Sequence, residues 1–152
     1  MYSIGIDLGG TNIAVGLCDE SLKLVDKISA PTLPKRGNDA VISDMARLAD
    51  ELIKRHGITR ADIKSVGIAT PGAVNPEAGI VESAFNLGFK NFPIVESFKK
   101  YFNIDRIFVA NDANAAALGE AHFGAAQGES DFLCLTYGTG VGGCIYINGD
   151  VY

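Results

Sequence analysis

Apolar residues alternate with small residues at the start of the chain and predict three short strands. Ile4 and Ile6 alternate with small residues up to Gly9-Gly10, and a second apolar run covers 13–17. A third, less regular run extends over 22–28. A period of two is typical of β-strands, and glycine or short polar segments between the runs are typical of tight turns. The pattern therefore predicts an antiparallel meander.

The hydrophobic period changes to three and four residues between positions 38 and 56, which predicts an α-helix with one apolar face. Asn38 is the predicted N-cap, and Gly57 stands where a left-handed residue commonly ends a helix. The predicted buried face consists of Val41, Ile42, Met45, Leu48, Ala49, Leu52 and Ile53.

The middle of the chain is less periodic. Residues 66–69 predict a short buried strand that ends at Pro71-Gly72, and the segment 73–91 predicts a long loop, with or without short strands. Loops of that length in compact domains are usually functional or mobile. A second helix is predicted to open at Asn91 and to run to about Phe102.

The last third of the chain predicts a strand at 106–110, an alanine-rich helix at 111–125 and a strand at 132–136. The glycine-rich segment 138–143 and a strand at 144–147 follow, and Asn148-Gly149 is a type I′ hairpin signal. The chain ends three residues later, within the predicted hairpin, and we therefore expect it to be part of a longer protein.

Composition excludes several classes of protein. The 152 residues are 47% hydrophobic and 20% charged, as in globular domains rather than disordered chains. A net charge of −5 argues against a dedicated nucleic-acid binder. No apolar run approaches the roughly 20 residues of a membrane span, and no secretory signal is visible. Cys18, Cys134 and Cys144 are far apart in sequence and predict reduced thiols in the cytoplasm.

Two segments of the chain resemble each other. Residues 6–13 and 135–142 both read as a strand, a polar residue, a turn with glycine and threonine, and a second strand. Glycine turns expose backbone N–H groups that can hold phosphate oxygens, although a single such hairpin is more often structural. Gly138-x-Gly140-x-x-Gly143 matches a dinucleotide fingerprint, but that fingerprint must open a helix, and a strand is predicted here.

Asp112 and its neighbour Asn111 are the strongest candidates for chemistry. Asp112 follows a predicted strand and lies in the first turn of the next helix, whose N-terminus favours the ionised carboxylate. From the residues alone, a general base and a helix-stabilising aspartate are equally compatible with this position. Asn111 and Asn86 could bind sugar hydroxyl groups, or could only cap the helix and shape a turn.

Five segments in order resemble the ROK family (repressor, open reading frame, kinase), and most closely its glucokinase branch. The resemblance covers essentially the whole chain. The segments are 7–12 (DLGGTN), 67–72 (GIATPG), 86–88 (NLG), 111–115 (NDANA) and 138–143 (GTGVGG). The resemblance implies the α/β, ribonuclease-H-like fold of the actin and hexokinase superfamily, with a mixed five-stranded sheet. Residues 1–128 would form a sugar-binding lobe, and 129–152 would start a similar nucleotide-binding lobe with its first hairpin.

The resemblance also implies an ATP-dependent phosphorylation of a hexose 6-hydroxyl, with glucose as the first candidate. Asp112 would be the catalytic base, and Gly72, Asn86, Asn111 and Asp112 would contact the sugar. The nucleotide would lie against two turns. The residues implied there are Asp7, Gly9, Gly10, Thr11 and Asn12 in the first turn, and Gly138, Thr139 and Gly140 in the second.

Several further expectations follow from the resemblance. ATP is the implied cofactor, with Mg²⁺ beside Asp7, whereas a structural zinc site would lie only in a C-terminal lobe beyond Tyr152. Asn12 stands where many relatives carry lysine. The motifs are also compatible with N-acetylmannosamine, fructose, mannose or allose as the substrate. The full-length protein is expected to be a cytoplasmic homodimer without nucleic-acid or membrane partners, and the fragment to be inactive alone.

Two alternatives remain open: a sugar-responsive ROK repressor and a non-catalytic sugar-sensing protein. The predicted first strand begins within a few residues of Met1 and leaves no room for a helix-turn-helix. Asp112 and the two glycine-threonine turns argue against a decayed site.

Overall fold

The computed structural model describes residues 1–138 and 140–152, which form two compact units, Met1–Ala110 and Asn111–Tyr152. A five-stranded mixed sheet is the framework of the first unit. Its strands in spatial order are β3 (Leu24–Pro31), β2 (Asn12–Cys18), β1 (Tyr2–Leu8), β4 (Ile63–Thr70) and β8 (Ile107–Asn111).

The predicted meander is confirmed, because β1 pairs antiparallel with β2 and β2 pairs antiparallel with β3. β4 lies on the other side of β1 and runs parallel to it. Alternate residues of these strands, such as Ile4, Ile6 and Val15, are almost completely buried. They belong to the same hydrophobic core as the apolar face of the first helix.

The first helix, α1, spans Asn38–Arg55, and the seven residues of its predicted apolar face are all buried. Asn38 is not the N-cap as predicted. Gly37 holds that position at φ 93°, a backbone conformation that favours glycine, and Asn38 is the first helical residue. The prediction for Gly57 is confirmed, since its φ of 62° is left-handed.

The segment 73–91 is not mainly a loop. It forms most of a three-stranded antiparallel sheet in the order β5-β6-β7, with β5 at Ala73–Asn75, β6 at Ile80–Ala84 and β7 at Phe89–Phe92. A short 3-10 turn, Phe85–Leu87, connects β6 to β7. Strands of three to five residues are too short to show a clear period in the sequence, so the prediction allowed for short strands here but did not locate them.

The second helix, α2, spans only Ile94–Lys99, so the predicted start at Asn91 is wrong. Asn91 lies in β7 with a φ of 47°, and Pro93 precedes the helix. Proline fixes φ and disfavours a helical residue before it, which explains the later start. Phe98 and Phe102 stack with ring centroids 5.6 Å apart inside the core.

The second unit contains α3 (Asp112–Phe123) and a three-stranded antiparallel sheet. Its strands in spatial order are β11 (Asp150–Val151), β10 (Val141–Ile147) and β9 (Phe132–Tyr137). Positive φ values at Asn148 and Gly149 agree with the predicted type I′ hairpin between β10 and β11. Among the described residues, no helix combines the length and apolar character needed to cross a bilayer.

Candidate active site

The first glycine turn joins β1 to β2. Gly9 N–H donates to the carbonyl of Asn12 at 2.9 Å and closes the turn. Thr32, which follows β3, donates its hydroxyl to Gly9 O at 2.6 Å and its backbone N–H to Thr11 O at 2.8 Å. Sequence reasoning missed Thr32, because this contact joins residues that are more than twenty positions apart and no local pattern marks it.

Asn86 lies directly against this turn. A Cβ atom added at Gly10 would stand 3.0 Å from Cβ of Asn86, closer than nearly all real contacts of this kind. Asn86 itself belongs to the 3-10 turn after β6 and is exposed. The structure therefore brings one predicted sugar residue into contact with the predicted phosphate turn.

The Pro71-Gly72 turn packs against the same end of β6. Gly72 has a φ of 95°, and a Cβ atom there would lie 1.9 Å from the carbonyl oxygen of Ser83. Only glycine permits this approach. Asp7, near the end of β1, pairs in register with Ala69 of β4, two residues before Pro71. Gly72 and the turn at Gly9–Thr11 thus follow the carboxyl ends of the neighbouring parallel strands β4 and β1, and Asp7 lies within the last two residues of β1.

Asn111 and Asp112 stand at the junction between β8 and α3 in the second unit. The Oδ1 atom of Asn111 accepts hydrogen bonds from the backbone N–H groups of Ala113 at 2.9 Å and Asn114 at 3.2 Å, so Asn111 is the N-cap. Asp112 Oδ1 also accepts from Ala113 N–H, at 2.8 Å, and its side chain is exposed. The helix start thus orients two polar side chains with a carboxylate open to solvent.

The second glycine turn joins β9 to β10 and is shorter than predicted. Gly138 N–H donates to Gly140 O at 2.9 Å, and the intervening Thr139 lies outside the described residues. Gly142 and Gly143 belong to β10, which corrects their assignment to the turn. A Cβ atom at Gly142 would meet Thr136 Oγ1 at 2.5 Å and Ala113 Cβ at 3.2 Å, so this glycine lets the start of α3 pack on the sheet.

The cysteine and histidine residues are not predicted site residues, and their surroundings are as follows. Cys134 and Cys144 pair with each other across the β9–β10 hairpin. Burial is the main cause that raises the pKa of the Cys144 thiol, and the nearby Cys134 is the smaller cause. His56 Nε2 lies 3.1 Å from Asp26 Oδ2, whereas His122 is exposed. The described residues contain no group of three or more side chains placed to hold a metal ion.

Comparisons with known proteins identify the family of the chain. Residues 3–152 match the ROK family, and the chain belongs to that family. The glucokinase of Thermotoga maritima is 37% identical over 147 residues, which cover 96% of this chain and 44% of that protein. The xylose repressor of Caldicellulosiruptor bescii is 30% identical over 149 residues, or 98% of this chain and 37% of the repressor.

A solved structure covers all of this chain. The ROK glucokinase of Streptomyces griseus, in complex with glucose and AMPPNP, superposes with a TM-score of 0.89 at 32% identity, and the match takes in 46% of that chain. The fold is that of the actin and hexokinase superfamily, as expected. The chain spans less than half the length of the glucokinases that it matches.

Proposed function

We propose that this chain supplies the sugar-binding part of an ATP-dependent hexose kinase that phosphorylates the 6-hydroxyl of glucose. The observation that carries the proposal is the exposed Asp112 carboxylate at the capped start of α3. Phosphoryl transfer has a loose transition state, so catalysis depends chiefly on positioning. A carboxylate within hydrogen-bond reach of the 6-hydroxyl can accept its proton as the phosphoryl group arrives.

The sugar is held by amide and backbone groups in this proposal. Asn86 and Asn111 each carry a carbonyl oxygen and an NH₂ group, and both kinds of atom suit sugar hydroxyls. Gly72 contributes backbone atoms from a turn whose conformation excludes a side chain. We assign the side-chain amide of Asn111 to the sugar, in addition to its role as the N-cap, in which the Oδ1 atom accepts two backbone hydrogen bonds.

The phosphates are assigned to the two glycine turns, residues 9–12 and 138–140. Gly10 donates no backbone hydrogen bond to any residue of the described chain, which leaves its N–H group for an oxygen of the nucleotide. Asp7 fits a Mg²⁺ site, because this ion usually takes one or two carboxylates together with water and substrate phosphates. When bound there, Mg²⁺ would neutralise charge on the phosphates.

The test is a coupled assay of ADP release by the full-length protein. Glucose should support turnover, and 6-deoxyglucose, which lacks the reacting hydroxyl, should act as a competitive inhibitor without turnover. Mannose, fructose, allose and N-acetylmannosamine tested in parallel would define the sugar. Turnover with 6-deoxyglucose in excess of the sugar-free rate would refute transfer to the 6-hydroxyl.

A sugar-responsive repressor is the second candidate, because the xylose repressor is also a relative over nearly the whole chain. A repressor of this kind would bind sugar without consuming ATP. Calorimetric binding of a sugar together with no ADP release in the coupled assay would therefore favour the repressor over the kinase.

A further inference from the structure

Thr32 is one of the two buried polar side chains recorded among the described residues, and its exposed fraction is 0%. Its hydroxyl and its backbone N–H both donate hydrogen bonds to the first glycine turn. The hydroxyl donates to Gly9 O at 2.6 Å, and the backbone N–H donates to Thr11 O at 2.8 Å. A single residue after β3 therefore holds two of the carbonyl groups in the turn.

These bonds also set the direction of the adjacent N–H groups. In a planar trans peptide, the carbonyl oxygen of one residue and the N–H of the next point in opposite directions. Because Gly9 O is directed at Thr32, Gly10 N–H is directed away from it. The same relation directs Asn12 N–H away from Thr32, since Thr11 O is also held.

Among the described residues, few other contacts hold this turn, and Asn86 packs against Gly10. Gly9 and Gly10 have no side chains and high conformational freedom, and the turn is closed by the bond from Gly9 N–H to Asn12 O. Without the Thr32 hydroxyl, the peptide between Gly9 and Gly10 would lose the hydrogen bond that holds its carbonyl group. Its N–H group would then spend less time in the direction that suits a phosphate oxygen.

We propose that Thr32 is a positioning residue for nucleotide binding, whose buried hydroxyl fixes the peptide between Gly9 and Gly10 so that Gly10 N–H faces a phosphate oxygen. This inference rests on the proposed kinase function and deepens it. Thr32 does not touch the nucleotide in this proposal and acts through the turn.

The test compares Thr32→Val with Thr32→Ser in the full-length protein. Valine keeps the shape and removes the hydroxyl, whereas serine keeps the hydroxyl. Thr32→Val should raise the KM for ATP about fivefold or more, the scale of one lost hydrogen bond, and should change the KM for the sugar less than twofold. Thr32→Ser should restore the KM for ATP to within twofold of the wild type.

A matched control removes a hydroxyl of the same kind elsewhere. Thr59 Oγ1 donates to Asp62 Oδ2 at 2.8 Å in a different turn. Thr59→Val should leave both KM values within twofold of the wild type, even where it lowers the melting temperature. Hydrogen exchange at residues 9–12 should be faster in Thr32→Val than in Thr32→Ser, without nucleotide present.

The outcomes of these experiments distinguish a failure of the role of Thr32 from a failure of the proposed kinase function. An active wild type whose KM for ATP is unchanged by Thr32→Val, or is raised equally by valine and serine, would overturn the role of Thr32 alone. A wild type that binds AMPPNP in calorimetry without phosphorylating sugar would refute the kinase, and AMPPNP affinity in the two variants would then decide the role of Thr32. A wild type that binds no nucleotide would overturn both.

Discussion

Asp112 combines two properties that a catalytic base requires: it is exposed, and its backbone is fixed by the start of α3. The bond from Ala113 N–H to Asp112 Oδ1 can also form with an asparagine in its place, and Asn111 caps the same N–H group. Asp112→Asn should therefore preserve the fold while removing the proton acceptor. Steady-state kinetics should show kcat reduced by at least ~10²-fold, with a much smaller change in sugar KM.

The control for this variant is Asp150→Asn, which removes the same charge from an exposed residue of β11 in the same unit. Its kcat should remain within twofold of the wild type. A near wild-type kcat for Asp112→Asn would remove Asp112 from the mechanism, and the exposed carboxylate would then only stabilise the helix.

The space for a side chain at Gly10 is restricted by Asn86 as well as by a bound phosphate. Gly10→Val would place Cβ 3.0 Å from Cβ of Asn86, so one of the two must move. We expect kcat/KM to fall on the order of 10–100-fold, the scale of a misplacement of about 1 Å, with raised KM values for both ATP and the sugar. A rise in the KM for ATP alone would show that Asn86 does not contact the sugar.

A glycine with open space is the matched control for Gly10. Gly119 lies in α3, and a Cβ atom there would meet no other atom within 4 Å. Gly119→Ala should leave both KM values unchanged. It should raise the melting temperature slightly, because alanine favours a helix by up to about 1 kcal/mol over glycine.

At the scale of elements, the sequence predicted long periodic segments well and short or irregular ones poorly. The helix at 38–55 and the meander were predictable because their apolar positions repeat over many residues. The strands β5, β6 and β7 were not, because three to five residues show no period. The start of α2 was misplaced because Pro93, and not the turn-forming Asn91, sets it.

The same limit applies to the site. The start of α3 at Asn111 and Asp112 could be predicted because a strand, a capping residue and a helix follow one another in the sequence. The contact of Gly10 with Asn86 and the bonds from Thr32 join segments 20 or more positions apart. Such contacts depend on tertiary packing, which local periodicity and turn chemistry do not encode.

Asn111 is expected to act in two ways, which different substitutions can separate. Serine is as good an N-cap as asparagine, whereas alanine cannot accept the cap bonds. Asn111→Ala should lower the free energy of unfolding by about 1 kcal/mol and also raise the sugar KM. Asn111→Ser should keep the stability but still raise the sugar KM, because it lacks the NH₂ group. Chemical denaturation measures the stability of both variants, and steady-state kinetics measures their sugar KM. A wild-type sugar KM in Asn111→Ser would show that Asn111 caps the helix but does not contact the sugar.

For the whole molecule, stability should decrease in acid. Hydrogen bonds from Thr59 lower the pKa of Asp62 below its ordinary value of 3.8. Those from Ser21, His56 and Ser130 lower the pKa values of Asp19, Asp26 and Asp131. At Asp44, burial raises the pKa, but hydrogen bonds from Arg36 and Arg47 outweigh it.

The sign of the effect follows from proton uptake. Near pH 3.8 the unfolded chain binds more protons at these carboxyl groups than the folded chain, so the free energy of unfolding falls as pH decreases. The stabilisation is complete well above pH 3.8 and is lost as pH falls through the lowered values. Urea denaturation from pH 6 to pH 2.5 should show this loss. Asp62→Asn should be less stable than the wild type at pH 6, with a difference that shrinks in acid; parallel curves would contradict the assignment to Asp62.

The length of the chain relative to its relatives gives the last prediction. The glucokinase structure that holds both glucose and AMPPNP is more than twice as long, since this chain covers 46% of it. In the second unit, one face of the β9–β10 hairpin exposes apolar side chains, with exposed fractions of 59% at Leu135 and 72% at Val141. Exposed apolar faces of this kind usually pack against further protein. We therefore expect the second glycine turn to reach its functional position only when further residues of the protein pack against this face.

A chain that ends at Tyr152 should consequently bind glucose with a Kd of about 1 mM or weaker, a binding free energy no more favourable than about −4 kcal/mol. It should also phosphorylate no sugar. Calorimetric titration with glucose, after circular dichroism has established that the chain is folded, measures the first quantity, and the coupled assay measures the second. The full-length protein is the control and should bind more tightly, because in the proposed kinase a second lobe would close on the sugar, exclude water and complete the site. Micromolar binding or ATP-dependent turnover by residues 1–152 would show that this part of the protein is sufficient for the activity.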